Sequence, residues 1–313
     1  MIEKLRFEPL DPGKYTAFRR LFDDSNNKIC LALGGGAVPG LCGNVALVHF
    51  LEELGLRDRV DSIWGTSAGA IVAAGWATGT KASEIYRGIA SLDRRGALDV
   101  RWFELAKSFL LRFLGAKLPD ALVRGRAFRR TIDAGLAVKT FEECSIPLRC
   151  IACESGEKTR TVIFDEGPLL PAILDSIAIP GILAPAGKRD YYDGGLVEKT
   201  PLLSPIAEHL RQNDGKRLVI VCTHYRPSAH RGRVRGFIER FMTTMYVLED
   251  LTWEYQLEQA RSYDDVDLLI LEPGIDDPRS FDFSRVPLST REARTSYEEQ
   301  LQDAKIALAF GLS

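Results

Sequence analysis

The sequence predicts an α/β protein, a mainly parallel sheet flanked by helices, and three observations carry that expectation. An apolar run at residues 28–33 ends in Gly34-Gly35-Gly36 and leads into a helical stretch. The same order then recurs, with a strand at 62–64, the turn Gly65-Thr66-Ser67-Ala68-Gly69 and a small-residue helix at 68–77. Two further apolar strands, 217–223 and 267–271, are separated by a long helical stretch at 237–261. Strand, glycine turn and helix, repeated in that order, is the pattern of parallel strands joined by crossover helices.

Each element has a local reason. Asp11-Pro12 reads as an N-cap followed by proline in the first helical position, opening a short helix that runs to about Phe22. The polar stretch 23–27 then links to the first strand. A helix at 41–54 is closed by Gly55, and residues 81–145 are mostly helical in pattern. Among these, Trp102, Leu105, Phe109, Phe113 and Ala116 recur at helical spacing. Strands return at 148–153 and 161–164, and a helix is expected at 169–176. Ile179-Pro180-Gly181 opens a rigid connection, and Tyr191-Tyr192 ends a strand that meets Asp193-Gly194-Gly195. Ser289 and Glu292 form a capping-box pair expected to start a final helix that Gly311 ends.

Composition narrows the function. The chain has 313 residues, is 45% hydrophobic and carries a net charge of −2, so it lacks the basic excess that nucleic-acid binding wants. The first residues show no apolar signal-like run, and the longest near-apolar stretch, 68–78, is too short to span a bilayer; a cytosolic home is expected. Cys150 and Cys153 form a C-x-x-C, but residues three apart on a strand point to opposite faces and do not converge on a metal. No second pair at zinc spacing accompanies them. No metal or organic cofactor is expected.

The chemistry concentrates at Ser67. A serine held in a sharp strand-to-helix turn needs neighbours with almost no side chain, which Gly65 and Gly69 supply in the G-x-S-x-G pattern of a nucleophile elbow. The helix that starts there aims its free N–H groups at the oxygen of an attacked carbonyl. Gly34, Gly35 and Gly36, at the end of the first strand, suit an oxyanion hole made of backbone N–H groups. They do not fit a dinucleotide fingerprint, because Pro39 stands where the third glycine is required. Two residues compete for the role of base. Asp193 ends a strand before two glycines, and His224 ends the strand 218–224. The order Ser67, Asp193, His224 also suits a hydrolase triad.

Gly34-Gly35-Gly36 after a strand, Gly65-Thr66-Ser67-Ala68-Gly69, the Ile179-Pro180-Gly181 turn and Asp193-Gly194-Gly195 resemble, in order and spacing, the patatin-like phospholipases. The resemblance covers residues 28–205. It implies a three-layer α/β/α sandwich with a mainly parallel central sheet and a Ser–Asp dyad without a catalytic histidine. By that analogy Ser67 is the nucleophile, Asp193 the base and Gly34–Gly36 the oxyanion hole. The chain departs from the family where a basic residue usually follows the glycines, since Ala37-Val38-Pro39-Gly40 carries no charge.

The implied function is a serine acyl hydrolase cleaving lipid esters, of phospholipase A or lysophospholipase type, through an acyl-enzyme. A general esterase, thioesterase or acyltransferase uses the same site, and a patatin-fold binding protein without turnover is the reading from another class. The implied partner is a lipid or membrane-surface substrate, met by a cytoplasmic protein in peripheral contact with the membrane. Two segments suit that contact, the amphipathic stretch at 102–118 and the basic run Arg226, Arg231, Arg233, Arg235 and Arg240. Residues 1–27 are expected as an N-terminal helical extension and linker, and 28–313 as the acyl hydrolase domain.

Overall fold

The computed structural model describes residues 7–92, 99, 121–123, 125–186, 190–226, 236–275 and 280–310. Its first element follows the local chemistry: Asp11 Oδ1 accepts from the Gly13 N–H at 3.0 Å, a 3-10 turn spans Pro12–Tyr15, and α1 (Thr16–Asp23) buries Phe18, Leu21 and Phe22. Phe18 meets Phe50 edge-on, so this helix shares the apolar core of the sheet domain.

The strands are β1 (Asn27–Leu33), β2 (Ser62–Thr66), β3 (Ala121–Val123), β4 (Leu148–Glu154), β5 (Arg160–Phe164), β6 (Gly181–Leu183), β7 (Tyr191–Asp193), β8 (Arg217–Thr223) and β9 (Val266–Leu271). Seven of them form one sheet in the order β5-β4-β2-β1-β8-β9, with β7 also on β4. The pairs β4–β2, β2–β1, β1–β8 and β8–β9 are parallel, whereas β5 and β7 run antiparallel to β4. Both faces are covered. Ile29, Leu31 and Leu33 of β1 point into the larger core under α2 (Ala37–Glu53), α3 (Ala68–Ala77) and α4 (Ala82–Ala90). Cys30 and Ala32 point to the other side, with Trp64, Ile220, Ile206, Trp253 and Leu257. Alternate residues of one strand thus serve two cores, and the molecule is the expected three-layer sandwich.

α3 explains its own composition. All ten of its residues are buried, and a Cβ built on Gly69 would collide with the Leu33 carbonyl oxygen, so only glycine lets the helix lie this close to β1. Cys150 and Cys153 are both buried on β4.

Three expectations need correction. The first crossover helix starts at Ala37 rather than Leu41, because Pro39 falls in the first turn, where a missing N–H costs nothing. Ser289 does not open the last helix. That helix is Val286–Gln300, with Pro287 in its first turn, and a separate helix Asp303–Phe310 follows it. The connection after Ile179 and the nominally helical stretch before residue 145 each contain a short strand, β6 and β3, which pair in parallel as a second small sheet. The stretch at 102–118 lies outside the described residues, as do Arg231, Arg233, Arg235 and Gly311.

Candidate active site

The sheet order locates the site. From β1 the chain moves to β2 and β4 on one side and later to β8 and β9 on the other, so the crevice of a topological switch point opens beyond the carboxyl end of β1. Gly34–Gly36 leave β1 there, and Ser67 leaves β2 beside them. Asp193 arrives from the opposite direction. Thr66 of β2 pairs with Ile151 of β4, and Asp193 of β7 pairs with Ala152, the next residue along. Since β5 occupies the other edge of β4, β7 fills the slot that β2 vacates when it turns away. Two strands therefore meet tip to tip, and Ser67 and Asp193 are at the tips.

Ser67 sits at φ 53 and ψ −121, a left-handed conformation that costs a side-chain-bearing residue about 1–3 kcal/mol. Its neighbours hold it there. The Ser67 N–H donates to Ser176 Oγ at 3.0 Å, and Ser176 Oγ donates to the Ile151 carbonyl at 2.5 Å, tying the elbow to β4. Thr66 Oγ1 donates to the Glu198 carbonyl at 2.9 Å. A Cβ on Gly65 would lie 2.6 Å from the Ala70 Cα, which accounts for that glycine. The Ser67 side chain then points at Asp193, and Ser67 Oγ donates to Asp193 Oδ2 at 2.6 Å.

Asp193 is 5% exposed. Its Oδ1 accepts from the Gly195 N–H at 2.7 Å, which fixes the carboxylate plane toward the serine. Burial drives its pKa up to about 7, against the lowering effect of the hydrogen bonds from Ser67 and Gly195; Glu249 pushes it further up and Lys199 draws it down. A carboxyl poised there exchanges a proton near neutral pH, which an ordinary aspartate does not.

The glycine loop is held from both sides. The Gly34 N–H donates to Thr223 Oγ1 at 3.0 Å, and the Gly35 N–H donates to the Lys199 carbonyl at 2.8 Å. Asn44 Nδ2 donates to the Gly34 carbonyl at 2.9 Å. Among the described residues, the Gly36 N–H has no acceptor, and Gly36 precedes the N-terminus of α2 at a φ of 135. A Cβ on Gly35 would stand 3.3 Å from Ser67 Cβ, so this loop and the elbow are in contact.

His224 lies elsewhere. Its ring stacks on Trp253 at 3.7 Å between centroids, and Nδ1 shares a hydrogen bond with Thr200 Oγ1 at 2.9 Å. Burial, with Lys199 and Arg226 adding to it, holds its pKa well below the usual histidine value, so the ring is neutral. Arg226 pairs with Asp250 and Glu254.

Two cavities share Ser67. One, of about 340 Å³, is apolar and is lined by Ser67 and Ala37 together with side chains such as Leu41, Ile71, Phe128, Ile179 and Phe283. The other, of about 360 Å³, is bounded by Gly35, Gly36, Asp193, Gly195, Met242, Met245, Tyr246 and Glu249. Among the described residues no group of acidic, histidine or cysteine side chains is set to hold a metal ion. Ser176, Lys199 and Glu249 were not singled out by motif. Each stands beside another polar residue, Asp175, Glu198 and Asp250 respectively, so nothing in the local pattern marks it.

Comparison with known proteins gives the family. The family described as "Patatin-like phospholipase" matches residues 31–206. Uncharacterised NTE family proteins of Mycobacterium bovis and Mycobacterium tuberculosis are 31% identical over 192 residues, covering 60% of this chain and 48% of theirs. The chain thus spans about half the length of the curated relatives it matches. Among solved structures, VipD from Legionella pneumophila aligns with a TM-score of 0.46 at 13% identity, over 89% of this chain and 67% of its own. A human cytosolic phospholipase A2 aligns at 0.39 and 12%, over 95% and 62%. By the family match over more than half its length, the chain belongs to the patatin-like phospholipases.

Proposed function

We propose that this protein is a lipid acyl hydrolase of phospholipase A or lysophospholipase type, working through a Ser67–Asp193 dyad carried by residues 28–313, with 1–27 as an N-terminal helical extension. The observation that carries the reading is the 2.6 Å hydrogen bond from Ser67 Oγ, which lines an apolar cavity, to a buried carboxylate.

The reaction follows from those groups. An acyl chain enters the apolar cavity and brings its ester carbonyl to Ser67. Oγ attacks the carbonyl carbon while its proton passes to Asp193 Oδ2. The oxyanion that forms is met by the Gly36 N–H, which has no described acceptor, whereas the expected donors Gly34 and Gly35 already donate to Thr223 Oγ1 and the Lys199 carbonyl, and by the N-terminus of α3. Collapse breaks the ester C–O bond. The leaving alcohol takes the proton from Asp193 and departs, leaving the acyl group on Oγ. Water then repeats the sequence, giving its proton to Asp193 and releasing the fatty acid. His224 takes no part, because Ser67 Oγ donates to Asp193 Oδ2 and His224 lines neither cavity at Ser67.

Release of fatty acid from phosphatidylcholine and lysophosphatidylcholine by the purified protein tests the reading. Hydrolysis is expected with the wild type and is expected to fall to background in Ser67→Ala, whose circular dichroism stays unchanged. Retained hydrolysis in Ser67→Ala would assign the nucleophile elsewhere.

A further inference from the structure

One buried ion pair lies against Asp193 and does no work in the reaction as written. Lys199, 2% exposed, places Nζ 3.1 Å from Glu249 Oε2, and Glu249 is 11% exposed. Nζ also stands 4.8 Å from the centre of the Tyr246 ring. The two residues come from different elements: Lys199 follows the turn Gly195–Glu198 that leads on from Asp193, and Glu249 is on the helix Phe237–Ala260. The contact is not aligned as a hydrogen bond, so neither Nζ nor Oε2 has its bonding capacity filled among the described residues. Gly195 separates Glu249 from Asp193. A Cβ on Gly195 would lie 2.8 Å from Glu249 Oε1 and 3.0 Å from Asp193 Oδ1, which puts the two carboxyl oxygens within about 6 Å of each other. Two carboxylates at that range in a buried cleft resist double ionisation unless a cation stands by.

We infer that Lys199 and Glu249 are positioning residues of the dyad: a buried, net-neutral ion pair that sets the field in which Asp193 takes up and returns the serine proton. The inference rests on the dyad reading of the site. The groups that face Asp193 are few. Ser67 reaches it from the elbow and the Gly195 N–H from its own segment. Cys153, paired with Tyr192 on the neighbouring position of β4, carries a thiol that burial pushes up and so keeps neutral. Tyr246, beside Lys199, is kept neutral in the same way. Lys199 and Glu249 are therefore the charges at hand, one lowering and one raising the proton affinity of Asp193. The backbone of Lys199 makes a second link, since its carbonyl accepts from the Gly35 N–H and seats the glycine loop.

The pH profile of kcat/KM on a short-chain ester tests this, because its acid limb reports the base in the free enzyme. Three proteins are compared: wild type, Glu249→Gln and Lys199→Met/Glu249→Gln. Glu249→Gln leaves Asp193 as the remaining counter-charge of Lys199, so its ionised form is favoured. The acid limb is expected to move down by about one pH unit, a tenfold gain in ionised base at the acidic end. The double variant strands no buried charge, and its limb is expected to return close to the wild-type position. An acid limb for Glu249→Gln that stays on the wild-type limb or moves to higher pH overturns the inference, as does a double variant whose limb matches Glu249→Gln. Should Glu249→Gln fail to fold, Lys199→Met takes its place: with Glu249 left facing Asp193 its acid limb is expected to move up by about one pH unit, and a limb that stays on the wild-type position or moves down overturns the inference. Ser67→Ala, assayed alongside, separates the two readings: residual hydrolysis there sinks the dyad, whereas a dead Ser67→Ala with coincident limbs sinks only the role of the pair.

Discussion

Asp193 shows what the site costs the fold. Burial holds its carboxyl at about 7, above the ~3.9 of an unfolded chain. Between those values the folded protein binds a proton that the unfolded chain has released. Stability therefore falls as pH rises across that window, and the loss is complete above about 7. Asp193→Asn removes the titration while keeping the shape of the side chain. Its melting temperature is expected to exceed that of the wild type by about 2–6 °C at pH 8, with the gap closing toward pH 4, as read by calorimetry. A variant that melts below wild type at pH 8 contradicts this account of the buried carboxyl. That Ser67 and Asp193 meet was legible only through the family resemblance, since the residues alone left His224 as a rival base; the glycine settings marked each as a tight turn but not as partners. Ser176, Lys199 and Glu249 were not legible. Their roles depend on partners far along the chain, as when Ser176 accepts from the Ser67 N–H across 109 residues.

At the scale of the element, α3 does two jobs. Ser67 is its N-cap, and Ile71, one turn on, lines the same apolar cavity as Ser67. In the proposed acyl-enzyme, a chain esterified to Ser67 would run past Ile71. Ile71→Trp is expected to narrow that path. Its kcat/KM for a dodecanoyl ester should fall at least about tenfold further than for an acetyl ester. Equal losses on both esters would place the acyl chain elsewhere. Elements with strong local signals were readable, as with the Asp11 cap and the apolar β1. Boundaries were lost where local chemistry allows two answers. Pro39 fits a loop as well as a first helical turn, and Ser289 and Glu292 make a capping pair only if the helix begins there. It begins at Val286, and Ser289 is buried within it.

Across the whole molecule, the α/β class and the parallel sheet followed from the repeated strand–glycine–helix order. The strand order did not. β8 inserts beside β1, and β7 docks head-on to β2 in the slot along β4; nothing local to either strand encodes such pairings. Yet that topology creates the site, since it brings the ends of β1, β2 and β7 to one crevice. Among the described residues no helix is long and apolar enough to cross a membrane. Two cavities share Ser67 at that crevice, one apolar and one bounded by Asp193 and Glu249.

The central claim is that Asp193, without a histidine, activates Ser67. The rate of adduct formation with a fluorophosphonate, followed by intact mass, tests it most directly, because only an activated serine reacts. The account predicts comparable rates for wild type and His224→Ala, no adduct with Ser67→Ala, and a rate lowered at least about a hundredfold in Asp193→Asn. Labelling of Asp193→Asn at the wild-type rate, or loss of labelling in a folded His224→Ala, would contradict it.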